Sequence, residues 1–195
     1  MSIRKNMYKY SSKERDDLTV LWLGIKNGNR DALSDLYHLS YPWLFNYGYK
    51  IKPRKTLIED AIHELFLSLW KHKDTISEAE SVKSYLYSSL RRIILRGLEK
   101  QKNRIERNYI YSLNLFYESQ NIEELIIDFE NHQKKKRQLT FALQLLSHRQ
   151  REVVYLKYYN GLSNTEIAQI MDIKKQSVYN HVSKAIIKMQ EVVQV

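Results

Sequence analysis

The fold is decided near the C-terminus, where residues 163–189 read S-N-T-E-I-A-Q-I-M-D-I-K-K-Q-S-V-Y-N-H-V-S-K-A-I-I-K-M. Ser163 and Glu166 have the spacing of a capping box, which begins a short helix. Asp172 comes next and is predicted to form the turn, because aspartate tolerates the left-handed backbone conformation better than most residues. A longer helix is predicted over residues 175–190, and the apolar residues of both helices recur at spacings that give them one shared core. This pattern predicts a helix-turn-helix, whose second helix enters the major groove of DNA.

The side of the second helix that this core leaves free is polar and basic. Four lysines and no acidic residue lie between Lys174 and Lys188. Lysine, glutamine, asparagine and serine side chains can contact phosphates or base edges. The alternative is the solvated face of an ordinary helical hairpin, but a second capping box at Ser147 and Gln150 and the missing acids favour DNA binding. The candidate contacts, called the recognition set, are Lys175, Gln176, Tyr179, Asn180, His181, Ser183 and Lys184.

Composition limits the class of protein. A chain of 195 residues with a 43% hydrophobic fraction can form one large or two small domains, and only five Gly and two Pro favour helix throughout. The net charge of +10 indicates a polyanionic partner, either nucleic acid or a membrane surface. The absence of Cys excludes disulfides and thiolate metal sites, and the six His show no ligand spacing, so we predict neither metal nor cofactor. No apolar run could span a bilayer or act as a secretory signal, which predicts a cytoplasmic protein without membrane insertion.

The strongest amphipathic pattern of the N-terminal half lies at residues 57–71, which read L-I-E-D-A-I-H-E-L-F-L-S-L-W-K. Its apolar residues form one wide stripe. The opposite side carries the acidic set, which is Glu59, Asp60, His63 and Glu64. A metal-dependent enzyme would need carboxylates that converge from several elements, and here one helix face supplies them all. A solvated face, or a docking face for a basic partner, is the favoured interpretation.

A second long helix is predicted to begin at a cap on Ser81 and to become strongly basic towards its end. Residues 91–107 hold seven basic and two acidic residues. The helix macrodipole favours basic residues near a C-terminus, but seven are more than that effect requires. Aromatic residues beside a basic track are typical of surfaces that bind single-stranded nucleic acid. The candidate contacts, called the basic–aromatic set, are Lys83, Tyr85, Tyr87, Arg91, Arg92 and Arg96.

Changes in composition divide the chain. Residues 1–13 are a polar arm, 14–104 a first domain, 105–121 a linker and 122–195 a second domain. From residue 108 to 131 there are five acids and no base, so the connection is acidic. The sequence therefore predicts an all-α fold of two small helical domains joined by an acidic linker.

Three of these stretches resemble one known family, the sigma factors of bacterial RNA polymerase. Its core-polymerase-binding helix, E-D-x-x-Q-E-x-F-x-x-x-W, is similar to I-E-D-A-I-H-E-L-F-L-S-L-W-K. The helix that reads and opens the downstream (minus ten) promoter element resembles S-V-K-S-Y-L-Y-S-S-L-R-R. The domain that binds the upstream (minus thirty-five) element resembles L-L-S-H-R-Q-R-E-V-V-Y-L-K-Y-Y-N-G-L-S-N-T-E-I-A. The resemblance is to the compact two-domain class, the extracytoplasmic-function (ECF) sigma factors.

The resemblance implies a role for each set. The acidic set would face a coiled coil of the largest subunit of core RNA polymerase. The loop from Asp74 to Ser81, with Tyr85 and Tyr87, would capture an unstacked base of the non-template strand, and the whole basic–aromatic set would bind downstream promoter DNA. The recognition set would read upstream duplex DNA. A transcription initiation factor of this kind is not an enzyme and has no cofactor, and an anti-sigma factor is a possible further partner.

Four positions depart from the family pattern. The family often has Trp at Tyr85, Asn at Arg92, Gln at His63 and a basic residue at Tyr179. The departures at Tyr85, Arg92 and Tyr179 bear on which promoter bases are read. The alternative function is a LuxR-type regulator that binds duplex DNA without being a polymerase subunit. Its DNA-binding domain matches the C-terminal stretch nearly as well, but it needs neither the acidic set nor the basic–aromatic set.

Overall fold

A computed structural model of the chain is described over residues 12–76, 81–105, 139 and 141–193, and every structural statement below refers to these residues. The acidic linker beyond residue 105, nearly all of the N-terminal arm and the beginning of the second domain lie outside them. The described elements are helices, with no strand among them. The predicted all-α fold class is confirmed.

The N-terminal unit contains four helices. They are α1 (Ser12–Lys26), α2 (Arg30–Ile51), α3 (Lys55–Lys71) and α4 (Val82–Ile105). Helix α4 packs against all three others, and α2 packs on both α1 and α3. The largest side chains that are fully buried come from all four helices and include Trp22, Leu36, Ile58 and Ile94. Burial of their apolar surface is the main stabilising term of this unit.

Short polar signals determine where these helices begin. The Asn29 side chain accepts hydrogen bonds from the backbone N–H groups of Asp31 and Ala32, at 2.8 and 3.2 Å, and so caps α2. Pro42 lies inside α2, where a proline usually bends or ends a helix. Instead α2 continues unbroken from Arg30 to Ile51. The missing proline N–H removes one backbone hydrogen bond, and buried neighbours such as Leu44 offset that loss by packing.

The C-terminal unit contains the predicted helix-turn-helix. Its helices are α5 (His148–Val154), α6 (Asn164–Met171) and α7 (Lys175–Val193). Both predicted capping boxes are present, at Ser147 with Gln150 and at Ser163 with Glu166. Asp172 ends α6 in the left-handed conformation, with φ 53° and ψ 54°. The local signals that the sequence carries at these helix ends are therefore confirmed.

Helix α5 ends in a way that the sequence did not predict. Residues Tyr155–Tyr159 continue it as one π-helical turn, in which the Asn160 backbone N–H donates to the Tyr155 carbonyl at 3.2 Å. Gly161 then adopts a φ of 67°, the left-handed conformation in which glycine commonly ends a helix. Before α5, a helical turn at residues 141–144 contributes Leu143 to a cluster with Ala185 of α7. None of the helices in the described ranges has the length and apolar character that crossing a membrane requires.

Candidate nucleic-acid and protein-binding surfaces

The acidic set lies on the outer side of α3. Apolar residues of this helix are buried on the opposite side, including Ile58, Ile62 and Leu65. Of the acidic set, Asp60, His63 and Glu64 are exposed, and the Glu59 side chain is 30% exposed. Leu67, one turn beyond His63, is 72% exposed, so this face offers an apolar contact among its polar groups.

Two tyrosines of α2 reach the edge of this face. The Tyr37 hydroxyl lies 3.1 Å from His63 Nε2, and the two rings are stacked at 6.1 Å. The Tyr41 hydroxyl donates a hydrogen bond to Glu59 Oε1 at 3.3 Å. Burial raises the pKa of Tyr41, and the charge and hydrogen bond of Glu59 and the nearby Tyr37 raise it further. A tyrosine hydroxyl is already protonated at neutral pH, and the raised pKa extends its role as a donor to more alkaline pH.

Two ion pairs involve the same face. Lys55 Nζ lies 3.8 Å from Glu59 Oε1, one turn away on α3. Arg96 of α4 approaches Glu64 Oε1 at 2.7 Å, and both side chains are more than half exposed. Exposed pairs of this kind contribute at most about 1 kcal/mol. A binding partner with its own basic groups can therefore replace them.

The structure corrects half of the basic–aromatic set. Tyr87 is fully buried and packs against Trp43 and Tyr47, with ring centroids 4.8 and 4.9 Å away. Lys83 is 7% exposed, with its ammonium 5.5 Å from the Trp43 ring centroid, and Arg91 is 8% exposed. These residues lie on the side of α4 that the other helices cover. In this fold they are core residues, so we withdraw them from the proposed DNA contacts.

The other half of the set shares the uncovered side of α4. Tyr85, Arg92 and Arg96 are exposed and follow each other at spacings of seven and four residues, which brings them onto one stripe. Tyr85 is 38% exposed, and its ring meets Trp22 edge-on at 4.9 Å. The predicted base-capture loop is described only at residues 74–76 and 81, and residues 77–80 lie outside the description.

The recognition set lies on one side of α7. Six of its seven residues are exposed, and His181 is half-buried. Gln176 Nε2 donates to Asn180 Oδ1 at 3.3 Å, which aligns two side chains that can read base edges. The opposite side, with Val178, Val182 and Ala185, is buried. This is the arrangement by which a recognition helix presents polar groups to a groove.

One basic residue that acts on this surface, Arg149, was not predicted from the sequence. The pKa of His181 is lowered by burial first, then by the positive charges of Arg149 and Lys184. Arg149 lies at the start of α5 and is exposed, and because α5 packs against α7, its positive charge acts on His181. The sequence carries a weak signal, a basic residue next to a capping box, and it does not specify that α5 and α7 come together at this point. In the described part of the chain, no three His, Asp or Glu side chains are grouped to hold a metal ion.

Comparisons with known proteins assign both units. A family profile described as "Sigma-70 region 2" matches residues 36–104, and one described as "Sigma-70, region 4" matches residues 136–189. Together they span well over half of the chain. Curated proteins gave no match.

Solved structures with the same fold include two complexes. One is CnrH in complex with the cytosolic domain of CnrY, at 16% identity and a TM-score of 0.60, with 92% of this chain and 98% of that chain covered. The other is the sigma factor RpoE in complex with the anti-sigma factor NepR from Bartonella quintana, at 20% identity and a TM-score of 0.57, with 83% and 96% covered. The described helices carry a region 2 unit followed by a region 4 unit. The chain belongs to the sigma-70 family of transcription initiation factors, which bind RNA polymerase and promoter DNA, and it has the two-region organisation of the ECF class.

Proposed function

We propose that this chain is a dissociable initiation subunit with three working surfaces. It binds core RNA polymerase through the acidic set on α3, reads the upstream minus thirty-five element with α7, and engages and helps to melt the downstream minus ten element with α4. The polymerase performs the covalent chemistry of RNA synthesis. The proposed site of action is the bacterial cytoplasm, where the polymerase meets DNA.

One observation carries the proposal: the acidic face of α3 and the basic stripe of α4 are exposed in the same small unit. The acidic set suits a basic protein partner, while Arg92 and Arg96 suit phosphates. Two faces of opposite charge on neighbouring helices let one unit bind polymerase and DNA at the same time. An ordinary DNA-binding regulator has no need of the first face.

Melting is supported by Tyr85 and the cations beside it. Removing a base from the stack costs a few kcal/mol, and stacking on an aromatic ring contributes about 1–3 kcal/mol per base. The ring of Tyr85 is partly exposed at the same stripe as Arg92 and Arg96. An unpaired base stacked on this ring would have its phosphates beside those cations.

The upstream role is supported by the recognition set. Lys175 and Lys184 lie at opposite ends of a polar face that includes Gln176 and Asn180. Lysines contribute sequence-independent affinity for phosphate, while amide side chains discriminate between bases. The set therefore provides both position and specificity in the major groove.

The experiment that tests this function is co-purification with bacterial core RNA polymerase. We expect stoichiometric binding by the wild type and loss of binding by a Glu59/Asp60/Glu64 triple-alanine variant. The matched control is an Asp16/Asp17/Asp35 triple-alanine variant, which removes three exposed acids from α1 and α2 and should bind normally. No binding by the wild type, with retained affinity for duplex DNA, would instead support the LuxR-type regulator.

We further propose regulation by an anti-sigma factor. The support is a fold shared with RpoE, whose solved complex contains the anti-sigma factor NepR. A protein that sequesters this chain must lower its binding to core polymerase in a stoichiometric competition. A candidate that binds the chain and leaves polymerase binding unchanged does not have this role.

A further inference from the structure

We propose that Tyr37 and Tyr41 of α2 are positioning residues, which hold His63 and Glu59 of α3 in the orientation that the polymerase meets. This inference rests on the proposed polymerase-binding role of α3. It adds two residues of a different helix to that surface.

The two tyrosines match the two polar residues turn for turn. Tyr37 and Tyr41 are one turn apart on α2, and Glu59 and His63 are one turn apart on α3. A short connection makes these helices antiparallel, so Tyr37 meets His63 at 3.1 Å and Tyr41 meets Glu59 at 3.3 Å. The register of the helix pair thus supplies one hydroxyl to each polar side chain.

The tyrosine rings are themselves held on several sides. Tyr37 meets the ring of Phe66 edge-on at 5.1 Å and that of Tyr41 at 5.6 Å. Tyr41 is stacked on Phe45 at 5.8 Å. A ring packed in this way has few accessible rotamers, so its hydroxyl is a fixed point against which a mobile surface side chain can be oriented. A partner that docks on pre-oriented side chains loses less conformational entropy.

The contacts also determine which atoms face the partner. Tyr41 and Lys55 both approach Oε1 of Glu59, so we assign Oε2 to the partner. We assign the tautomer in which Nε2 of His63 accepts a hydrogen bond from the Tyr37 hydroxyl and the ring proton lies on Nδ1. The surface then presents an acceptor at Glu59 and a donor at His63, one turn apart. The partner segment that fits has a cation opposite Glu59 and a hydrogen-bond acceptor opposite His63.

The test is the affinity of the full chain for core RNA polymerase, measured by titration of a fluorescently labelled protein. Tyr37→Phe and Tyr41→Phe should each weaken binding about two- to tenfold, since fixing one long side chain is worth a factor of that size. Tyr49→Phe is the matched control: it removes a hydroxyl from the same aromatic row, where the ring stacks on Phe45 at 6.2 Å, and should bind like the wild type. Equal melting temperatures will show that all three variants are folded.

A double-mutant cycle separates positioning from a general effect. In a Glu59→Ala background, Tyr41→Phe should cause no further loss, and likewise Tyr37→Phe in a His63→Ala background. Tyr37→Phe should also shift the side-chain ¹⁵N resonances of His63, which report the tautomer. The positioning role would be overturned if each Tyr→Phe substitution weakened binding as much in its alanine background as it does in the wild type.

The outcomes also separate this inference from the function on which it rests. If Asp60→Ala weakens binding while both tyrosine variants bind normally, the docking face is supported and the positioning role is overturned. If the wild type does not bind core polymerase, both are overturned.

Discussion

Helices α4 and α7 are both basic, and the sequence assigned both to nucleic acid, yet the fold uses them differently. Helix α7 is covered along one side, and six of the seven residues in its recognition set are exposed. Helix α4 packs against α1, α2 and α3, and three of the six residues in its basic–aromatic set are buried. A helix at the centre of a unit has a narrow free face. Counting the basic residues along such a helix therefore overestimates the surface that is available to nucleic acid.

The clearest test of this difference compares Tyr87 of α4 with Tyr179 of α7. Tyr87→Ala should reduce the free energy of unfolding of the N-terminal unit by about 3–5 kcal/mol, because it removes a fully buried ring from the core. Tyr179 is 50% exposed on α7, and its replacement by Ala should cost less than about 1 kcal/mol. Urea unfolding followed by circular dichroism measures both. Similar small losses for the two variants would mean that the α4 face is as open as the α7 face.

A smaller effect tests how closely α4 and its neighbours pack. A Cβ added at Gly48 of α2 would lie 2.7 Å from the Ile58 side chain and 3.3 Å from Ile94 of α4. Gly48→Ala should therefore destabilise the unit by about 1–3 kcal/mol. The matched control is Gly97→Ala on α4, where the added Cβ would meet Leu57 at an ordinary 3.6 Å. There, the higher helix propensity of Ala should stabilise the protein by about 0.5–1 kcal/mol, and thermal or urea unfolding would detect the opposite signs.

Much of this architecture is local and was predictable. The capping boxes at Ser147 and Ser163, the left-handed Asp172 and the amphipathic stripe of α3 follow from short-range spacing. The core face of α4 was also present in the sequence. Lys83, Tyr87, Leu90 and Ile94 recur at spacings of four, three and four residues, which is one helical stripe. The lysine at its start obscured the pattern, because a long side chain can bury its stem while its ammonium reaches an aromatic ring.

The rest depends on which helices meet and in what register. No local pattern shows that Tyr37 of α2 reaches His63 of α3, or that the charge of Arg149 on α5 acts on His181 of α7. These interactions join residues that are more than twenty positions apart in the sequence. The π-helical turn after Val154 was equally hidden, because its residues have the composition of an ordinary helix.

The exposed face of α7 can be tested through salt dependence. Lys184→Ala should weaken the affinity for duplex DNA of any sequence about three- to tenfold at low salt, and lower the slope of log K against log salt by about 0.9, as loss of one phosphate contact does. Lys71→Ala is the control, because it removes the same charge from the exposed end of α3. Fluorescence anisotropy at several salt concentrations measures both values. An unchanged slope would remove Lys184 from the phosphate contacts.

The smallest expected effect concerns the one half-buried member of the recognition set. Burial, Arg149 and Lys184 hold the pKa of His181 below its usual value in the folded protein. The unfolded chain therefore binds the proton more tightly, and the free energy of unfolding should fall as the pH falls below about 6.5, the ordinary histidine value. Urea unfolding between pH 5 and pH 8 measures this, and the part of the pH dependence due to His181 should be missing in His181→Gln.

Binding of duplex DNA should have the opposite effect on the pKa of His181. A phosphate placed beside Arg149, His181 and Lys184 offsets their mutual repulsion and raises the pKa of His181, so binding takes up a proton. Affinity should therefore rise a few-fold as the pH falls from 8 to 6, in the wild type more than in His181→Gln. Equal pH profiles for the two proteins would mean that the phosphate lies away from this cluster. The recognition set would then contact the DNA backbone mainly at the beginning of α7, where Lys175 lies.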